Sequence, residues 1–196
     1  MAGNEKNYTE GGTFNKIDYN ETPWVKGVYE NCQFTNCNLA GTELSGSKFI
    51  DCVFKDCNLS LARLEKVSFK DTEFRNCKML GMRFCDCSET TLLFSFYNCV
   101  LNQSTFYQTT VKGTVFKNTE LRECDFAEAD LSQAIFEDCD LSGAAFDRTN
   151  LEKADLRGAR FYTLDPDNNR IKKARFSVSG IAGLLDKYDI EIDFAG

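Results

Sequence analysis

Large apolar residues recur along this chain at every fifth position, and small residues stand two positions ahead of them. From Phe34 the large series runs Phe34, Leu39, Leu44, Phe49, Phe54, Leu59, Leu64, Phe69, Phe74, Met79, Phe84. After a slip of two residues it resumes as Phe96, Leu101, Phe106, Val111, Phe116, Leu121, Phe126, Leu131, Phe136, Leu141, Phe146, Leu151, Leu156 and Phe161. Cys32, Cys37, Thr42, Ser47, Cys52 and Cys57 open the small series, and Ala129, Ala134, Cys139, Ala144, Thr149, Ala154 and Ala159 close it. Neither a helix, at 3.6 residues per turn, nor a strand, at 2.0, keeps five-spaced residues on one face. A chain that turns a corner every five residues does so. It points the small and large residues inward and leaves the other three in solvent.

Every fourth large residue repeats in kind. Phe14, Phe34, Phe54, Phe74, Phe96, Phe116 and Phe136 stand 20 residues apart, except for one step of 22. A second column reads Leu39, Leu59, Met79, Leu101, Leu121, Leu141, Phe161. A third reads Leu44, Leu64, Phe84, Phe106, Phe126, Phe146. A fourth reads Tyr29, Phe49, Phe69, Thr91, Val111, Leu131, Leu151, Ile171. Four five-residue sides therefore make one square coil, and residue i lies beneath i+20. Backbone groups pair between coils at the strand spacing of about 4.8 Å. A period held this long defines a solenoid whose core stack is Phe34, Phe54, Phe74, Phe96, Phe116 and Phe136.

The domain plan follows. Residues 1–13 are a polar, glycine-bearing lead-in with the expected character of a flexible arm. Residues 14–176 form one solenoid, with Trp24 in its N-terminal cap. The two-residue slip puts a bulge near residues 85–95, where Thr91 replaces a large residue and the core is expected to thin. Asp165-Pro166-Asp167-Asn168-Asn169 is a turn signal, after which Ile171 and Phe176 add a last partial coil. Residues 177–196 form a C-terminal cap: a short helix over Ser179–Lys187, then a strand pattern from Tyr188 to Phe194. Ile181, Leu184, Leu185, Tyr188, Ile190, Ile192 and Phe194 exceed what one small end needs. They either cover the last coil only or also pair with a second copy across a two-fold axis.

Composition narrows the chemistry. The chain has 196 residues, a net charge of −7 and no His. The absence of His removes imidazole acid–base catalysis and His metal ligation. There is no glycine-rich phosphate loop and no nucleophile elbow, so no catalytic residue, cofactor site or metal site is assigned and no enzymatic activity is expected. Nine of the ten cysteines follow the repeat, not metal-ligand spacing, and read as small buried hydrophobes. Cys85 lies off the inward pattern and is the candidate reactive thiol. No apolar run reaches the roughly 20 residues of a membrane span, and no leader pattern is visible. A cytoplasmic protein with reduced thiols, without membrane contact, is expected.

The whole of the negative charge lies beyond residue 85, and residues 119–155 hold eleven acids against three bases. Glu120, Glu123, Asp125, Glu128, Asp130, Glu137, Asp138, Asp140 and Asp155 form the candidate partner-binding acidic face. One reading is a mimic of a phosphate backbone that docks into a basic groove. The other is a solvated face, since the repeat itself places an acid before each Leu. Acidity disfavours nucleic acid as a direct ligand. The basic run Arg170-Ile171-Lys172-Lys173-Ala174-Arg175 reads as a local counterweight to these acids.

Ala129-Asp130-Leu131-Ser132-Gln133 and Ala154-Asp155-Leu156-Arg157-Gly158 match the pentapeptide-repeat pattern A-(D/N)-L-x-x, and Cys57-Asn58-Leu59-Ser60-Leu61 and Cys139-Asp140-Leu141-Ser142-Gly143 match it with Cys for Ala. Over roughly residues 14–161 the chain resembles the pentapeptide-repeat family. The resemblance implies an all-β fold, a right-handed, four-sided parallel β-helix of about eight coils. It also implies a protein partner, DNA gyrase or topoisomerase IV, and a homodimer through the C-terminal end. Some quinolone-resistance members carry long loops between coils that this chain lacks. A structural or regulatory scaffold with another partner is the alternative.

Overall fold

The five-residue unit sets the backbone. The computed structural model describes residues 7–88 and 92–193. Each unit ends on a residue with positive φ, such as Asn36 (54°), Asp56 (53°), Asn76 (53°) and Gly113 (72°). This left-handed region is one that Gly, Asn and Asp enter at least cost. Each such residue turns the chain through one corner, so four of them complete a coil. The coils stack as a parallel β-solenoid of about eight turns. Cross-coil pairs join residues 20 apart: Phe14 with Phe34, Phe34 with Phe54, Phe116 with Phe136.

We number the sides by their columns. The first carries the phenylalanine stack, and the second, third and fourth carry the columns through Leu39, Leu44 and Phe49. The fourth and first sides are true sheet, for example Lys48–Ile50 and Val53–Lys55, and in one coil a single strand, Ser68–Arg75, runs through both. The second and third sides are turns joined by isolated bridges such as Asn38 to Asn58 and Glu43 to Arg63.

The columns are buried as the spacing requires. Phe34, Phe54, Phe74, Phe96, Phe116 and Phe136 are inaccessible to solvent or nearly so. Their rings stack nearly parallel, with centroids 4.6 Å apart from Phe34 to Phe54 and 5.0 Å from Phe116 to Phe136. Neighbouring columns meet them edge-on, as Phe106 meets Phe116 at 89°. Parallel-displaced and edge-to-face contacts suit the ring quadrupole and add to the area buried. The small column holds thiols. Cys57 Sγ donates to the Phe34 carbonyl at 3.4 Å and Cys77 Sγ to that of Phe54 at 3.4 Å. The cysteines thus serve packing and satisfy backbone acceptors. At one corner an amide ladder runs outside the core: Asn76 Nδ2 donates to Asp56 Oδ1 (2.9 Å), Asn98 to Asn76 (3.0 Å) and Asn118 to Asn98 (2.8 Å).

Four expectations are corrected. The lead-in is not a free arm over its described part. Asn7–Glu10 is a strand paired in parallel with Gly27–Glu30, and Tyr8 Oη donates to Glu30 at 2.7 Å, so the solenoid starts by Asn7.

The core does not thin at the irregular coil. Thr91 lies outside the described residues, but Leu92 pairs with Phe69 and Phe94 pairs with Thr72, so this coil spends two residues where the one above spends three. Leu92 and Phe94 are buried, and the Phe94 ring lies 5.0 Å from Phe96 and 5.3 Å from Phe84. A large ring in a small position compensates for the smaller Leu92 beside it. The 3-10 turn Phe84–Asp86 precedes this shift.

Phe161 does not extend the second column. It has φ 61° and is exposed, while Tyr162 and Leu164 turn inward. The strand Ala159–Arg160 still pairs in register with Cys139–Asp140, and the five-residue beat is lost directly after it, at Phe161.

The tail is not a strand in its described part. Two 3-10 segments, Val178–Leu184 and Asp186–Tyr188, are followed by irregular chain through residue 193. Gly180 and Gly183 lie against Tyr162, and Leu164 N–H donates to Gly183 O at 2.9 Å. Ile171 and Phe176 do pack on the last coil, and at the other end Trp24 lies half-buried over Tyr29 and Phe34 with its N–H on Ser47 Oγ at 3.0 Å.

Lys187 ties this cap to the preceding turn through ion pairs with Asp165 and Asp167. The Lys187 hydrogen bond holds the Asp165 carboxyl below its usual range. A depressed carboxyl stabilises the fold above its ordinary pKa and loses that contribution as pH falls through the folded value. The cap tether should therefore hold at neutral pH and release on acidification below the ordinary carboxylate range. Amide exchange at residues 178–188, followed from pH 6 downward in parent and Lys187→Met, should converge only at acid pH.

Candidate functional site

The outward residues carry whatever recognises a partner, and the coil geometry decides which of them meet. The acid that precedes each Leu or Phe has a local role first. Asp130 Oδ1 accepts the Ser132 N–H at 2.9 Å, Asp125 that of Ala127 at 2.9 Å, and Asp140 that of Ser142 at 2.9 Å. These are Asx turns that shape the corner. Charge left over after such bonds and after ion pairing is what a partner would feel.

The nine carboxylates do not share one side. Glu120, Glu123 and Asp140 lie on the second side and Asp125 and Glu128 on the third, so these five flank a common corner. Asp130 is on the fourth side, and Glu137, Asp138 and Asp155 are on the first. Register fixes these places: Glu120 bridges Asp140, Asp130 bridges Asn150, and Ile135 bridges Asp155.

Within the corner group, among the described residues, Glu120 accepts from Asn102 (3.1 Å) and lies in the field of Arg122, Glu123 accepts from Gln103 (3.0 Å), and Asp125 accepts from Thr105 (3.3 Å) and its own turn. Neutral donors leave their charge intact. Asp140 pairs with Arg122 at 2.8 Å and Glu128 with Arg148 at 2.6 Å. Burial raises the Asp140 carboxyl, but the Ser142 hydrogen bonds and Arg122 outweigh it and keep the group below its usual range. Off the corner, Glu137 pairs with Lys117 (2.7 Å) and Asp155 with Arg157 (2.6 Å). The acidic surface is thus a patch across the corner of one coil, headed by Glu120, Glu123 and Asp125.

At the C-terminal end, Leu184 packs on the core and Leu185 is half-buried, so these two serve the cap. Ile181, Tyr188, Ile190 and Ile192 are exposed, as are Val178 and Phe161 beside them. Phe194 lies outside the described residues. Val178 and Phe161 were not anticipated: Val178 lies just ahead of the predicted helix, and periodicity placed Phe161 in the core.

Cys85 is the one half-exposed cysteine; the other nine are buried, and all ten are unpaired. It lies in a cleft of about 570 Å³ with Arg83, Asp86, Cys87 and Tyr107. Burial and the Asp86 charge raise its thiol above the ordinary value. A maleimide at pH 7 should label one site slowly, at Cys85, and faster as pH rises; peptide mapping that finds Cys57 or Cys99 labelled in the folded protein would contradict the packing. Among the described residues there is no group of three or more Cys, Asp or Glu able to hold a metal, and no helix long and apolar enough to cross a membrane.

A square parallel β-solenoid with a charged outer surface is the class of protein that this geometry defines. The chain belongs to the pentapeptide-repeat family, whose repeat-region model matches residues 29–95 and 92–161. Among solved structures, a trypsin-treated variant of QnrB1, described as a plasmid-mediated fluoroquinolone resistance protein, is similar at 22% identity and a TM-score of 0.50, covering 95% of this chain and 100% of that one. HetL from the cyanobacterium Nostoc sp. strain PCC 7120, described as involved in heterocyst differentiation regulation, is similar at 14% identity and a TM-score of 0.53, covering 87% of this chain and 85% of that one. At these identities the likeness is one of fold. No curated protein matches the sequence significantly.

Proposed function

We propose that the chain is a non-enzymatic, cytoplasmic interaction protein whose acidic corner docks into the basic DNA-binding groove of a type II topoisomerase, DNA gyrase or topoisomerase IV. The observation that carries this reading is the patch of Glu120, Glu123 and Asp125, three carboxylates of one coil that make no ion pair among the described residues, with Asp140 one coil on. Carboxylates held close together on a rod offer a partner negative charge of the kind a phosphate backbone carries and steer the rod to a basic groove. The fluoroquinolone resistance for which QnrB1 is described accords with a topoisomerase as target. The exposed Ile181, Tyr188, Ile190 and Ile192 support a homodimer through the C-terminal end.

The test is a gyrase supercoiling assay with purified protein, with and without a fluoroquinolone. Glu120→Lys with Glu123→Lys should raise the half-inhibitory concentration by at least about tenfold, because like charges then face the groove. Asp138→Lys, an exposed change on another side, should leave it unaltered. Equal loss from both variants would replace the corner by general acidity. No inhibition by the parent protein would favour a regulatory scaffold with another partner; HetL is described as involved in regulation, that of heterocyst differentiation.

A further inference from the structure

Diagonally across the square from the acidic corner, the edge between the fourth and first sides has the opposite character. The column Ser95, Val115, Ile135, Asp155, Arg175 runs straight along it, each residue paired with the next. Its upper part is apolar: Ile135 is 41% exposed, Val115 is half-buried and Leu93 beside them is 49% exposed. A cleft of about 280 Å³, lined in part by Leu93, Phe94, Lys112 and Gly113, opens at its head. Its lower part is cationic. Lys153 and Lys173 occupy successive corner positions, with Lys153 N–H donating to Lys172 O at 3.0 Å.

The acids near this edge are largely occupied. Glu73 pairs with Arg75, Glu137 with Lys117, Glu152 with Arg170, and Asp155 with Arg157 and Arg175. Among the described residues, Lys112, Lys153, Lys172 and Lys173 make no ion pair. The edge therefore combines an apolar bed with four lysines outside any ion pair among the described residues, Lys112 sharing the head cleft with Asp71, on the side of the rod opposite the surface assigned above.

We propose that this edge is a second protein-binding surface that takes an extended peptide segment bearing both acidic and apolar side chains. The lysines supply the charge complement, and Leu93, Val115 and Ile135 supply the contact that a purely electrostatic surface lacks. A nucleic acid fits it less well. Its phosphates would meet Glu73, Glu137 and Asp155, and its backbone offers nothing to the apolar bed. The occupant runs along the rod and crosses the coils, so side-chain contacts hold it and not added backbone hydrogen bonds, because the coils already pair their N–H and C=O groups with one another.

The experiment is fluorescence anisotropy with the full chain and a labelled peptide of about ten residues alternating Glu and Leu. Saturable binding is expected. Lys153→Glu, Lys172→Glu and Lys173→Glu together should weaken it at least about tenfold, and Ile135→Ser should weaken it by about threefold, with circular dichroism unchanged. Glu120→Lys with Glu123→Lys should leave it intact, which separates this surface from the topoisomerase reading. Absence of saturable binding would overturn the proposal. So would equal binding of an all-Glu peptide, which removes the apolar bed, or tighter binding of a short DNA duplex, which would make the edge a nucleic-acid surface.

Discussion

Phe116→Ala lowers the stability of the solenoid by about 3–5 kcal/mol, the range for emptying a fully buried aromatic site. Phe116 is inaccessible to solvent, stacks between Phe96 at 5.3 Å and Phe136 at 5.0 Å, and receives the edges of Phe106 and Phe126. The walls of the cavity left behind are themselves stacked rings held by the coils above and below, so little collapse can offset the loss. In a solenoid, neighbours couple more strongly than distant coils, and the damage is felt locally first. Amide exchange should rise around residues 96–136. Trp24, the only tryptophan and at the far end, should report a smaller shift in its own unfolding midpoint. A variant that melts like the parent, with unchanged exchange, would refute the inward stack.

Gly183→Val has the second large effect, and it is confined to the cap. A Cβ at Gly183 would stand 2.0 Å from the carbonyl oxygen of Tyr162, a backbone atom that cannot swing aside. At Gly180 the nearest obstacle is the Tyr162 hydroxyl, the end of a side chain, at 2.3 Å. Overpacking of this kind costs typically 1–3 kcal/mol, roughly, and here it also breaks the bond from Leu164 N–H to Gly183 O. The 3-10 segment should lift off, and limited proteolysis should cut after Phe176 in the variant and not in the parent. Gly180→Ala should show the weaker form of the same defect. If the Gly183 variant resists protease like the parent, the cap is not seated on Tyr162.

The columns were legible because the core of a solenoid is written in sequence order. Phe34, Phe54 and Phe74 are neighbours in space by virtue of their spacing alone. The corners were legible too, though they were not drawn from the period: Asn31, Asn36, Gly41, Gly46, Asp51 and Asp56 stand at regular fifth positions and are the residues that tolerate positive φ. The irregular coil was not. A net slip of two, counted from Phe84 to Phe96, cannot say that Phe94 enters a small site, because that depends on how its ring meets Phe84 and Phe96. The two ends were legible only in part. Phe161 keeps the beat in sequence yet is exposed, for the chain stays in register through Arg160 and turns to positive φ at Phe161 itself. The acidic residues were grouped as one face although the period itself distributes them over several sides. Asp130 and Glu120 are close in sequence but lie on different sides of the square, whereas Glu120 and Asp140 adjoin across a coil.

Cross-coil pairing at intervals of 20 residues has a consequence for how such a rod changes length. Adding or deleting one complete coil leaves every column, corner and ladder in phase, and alters the rod by about 4.8 Å without rotating its sides. A change of any other size must be absorbed as the coil at Leu92 and Phe94 absorbs its own, by refilling the core. The molecule is in effect a graduated ruler. A partner that grips two marks on one edge measures the number of coils between them, and a population of such chains can be tuned to different partners by counting coils alone.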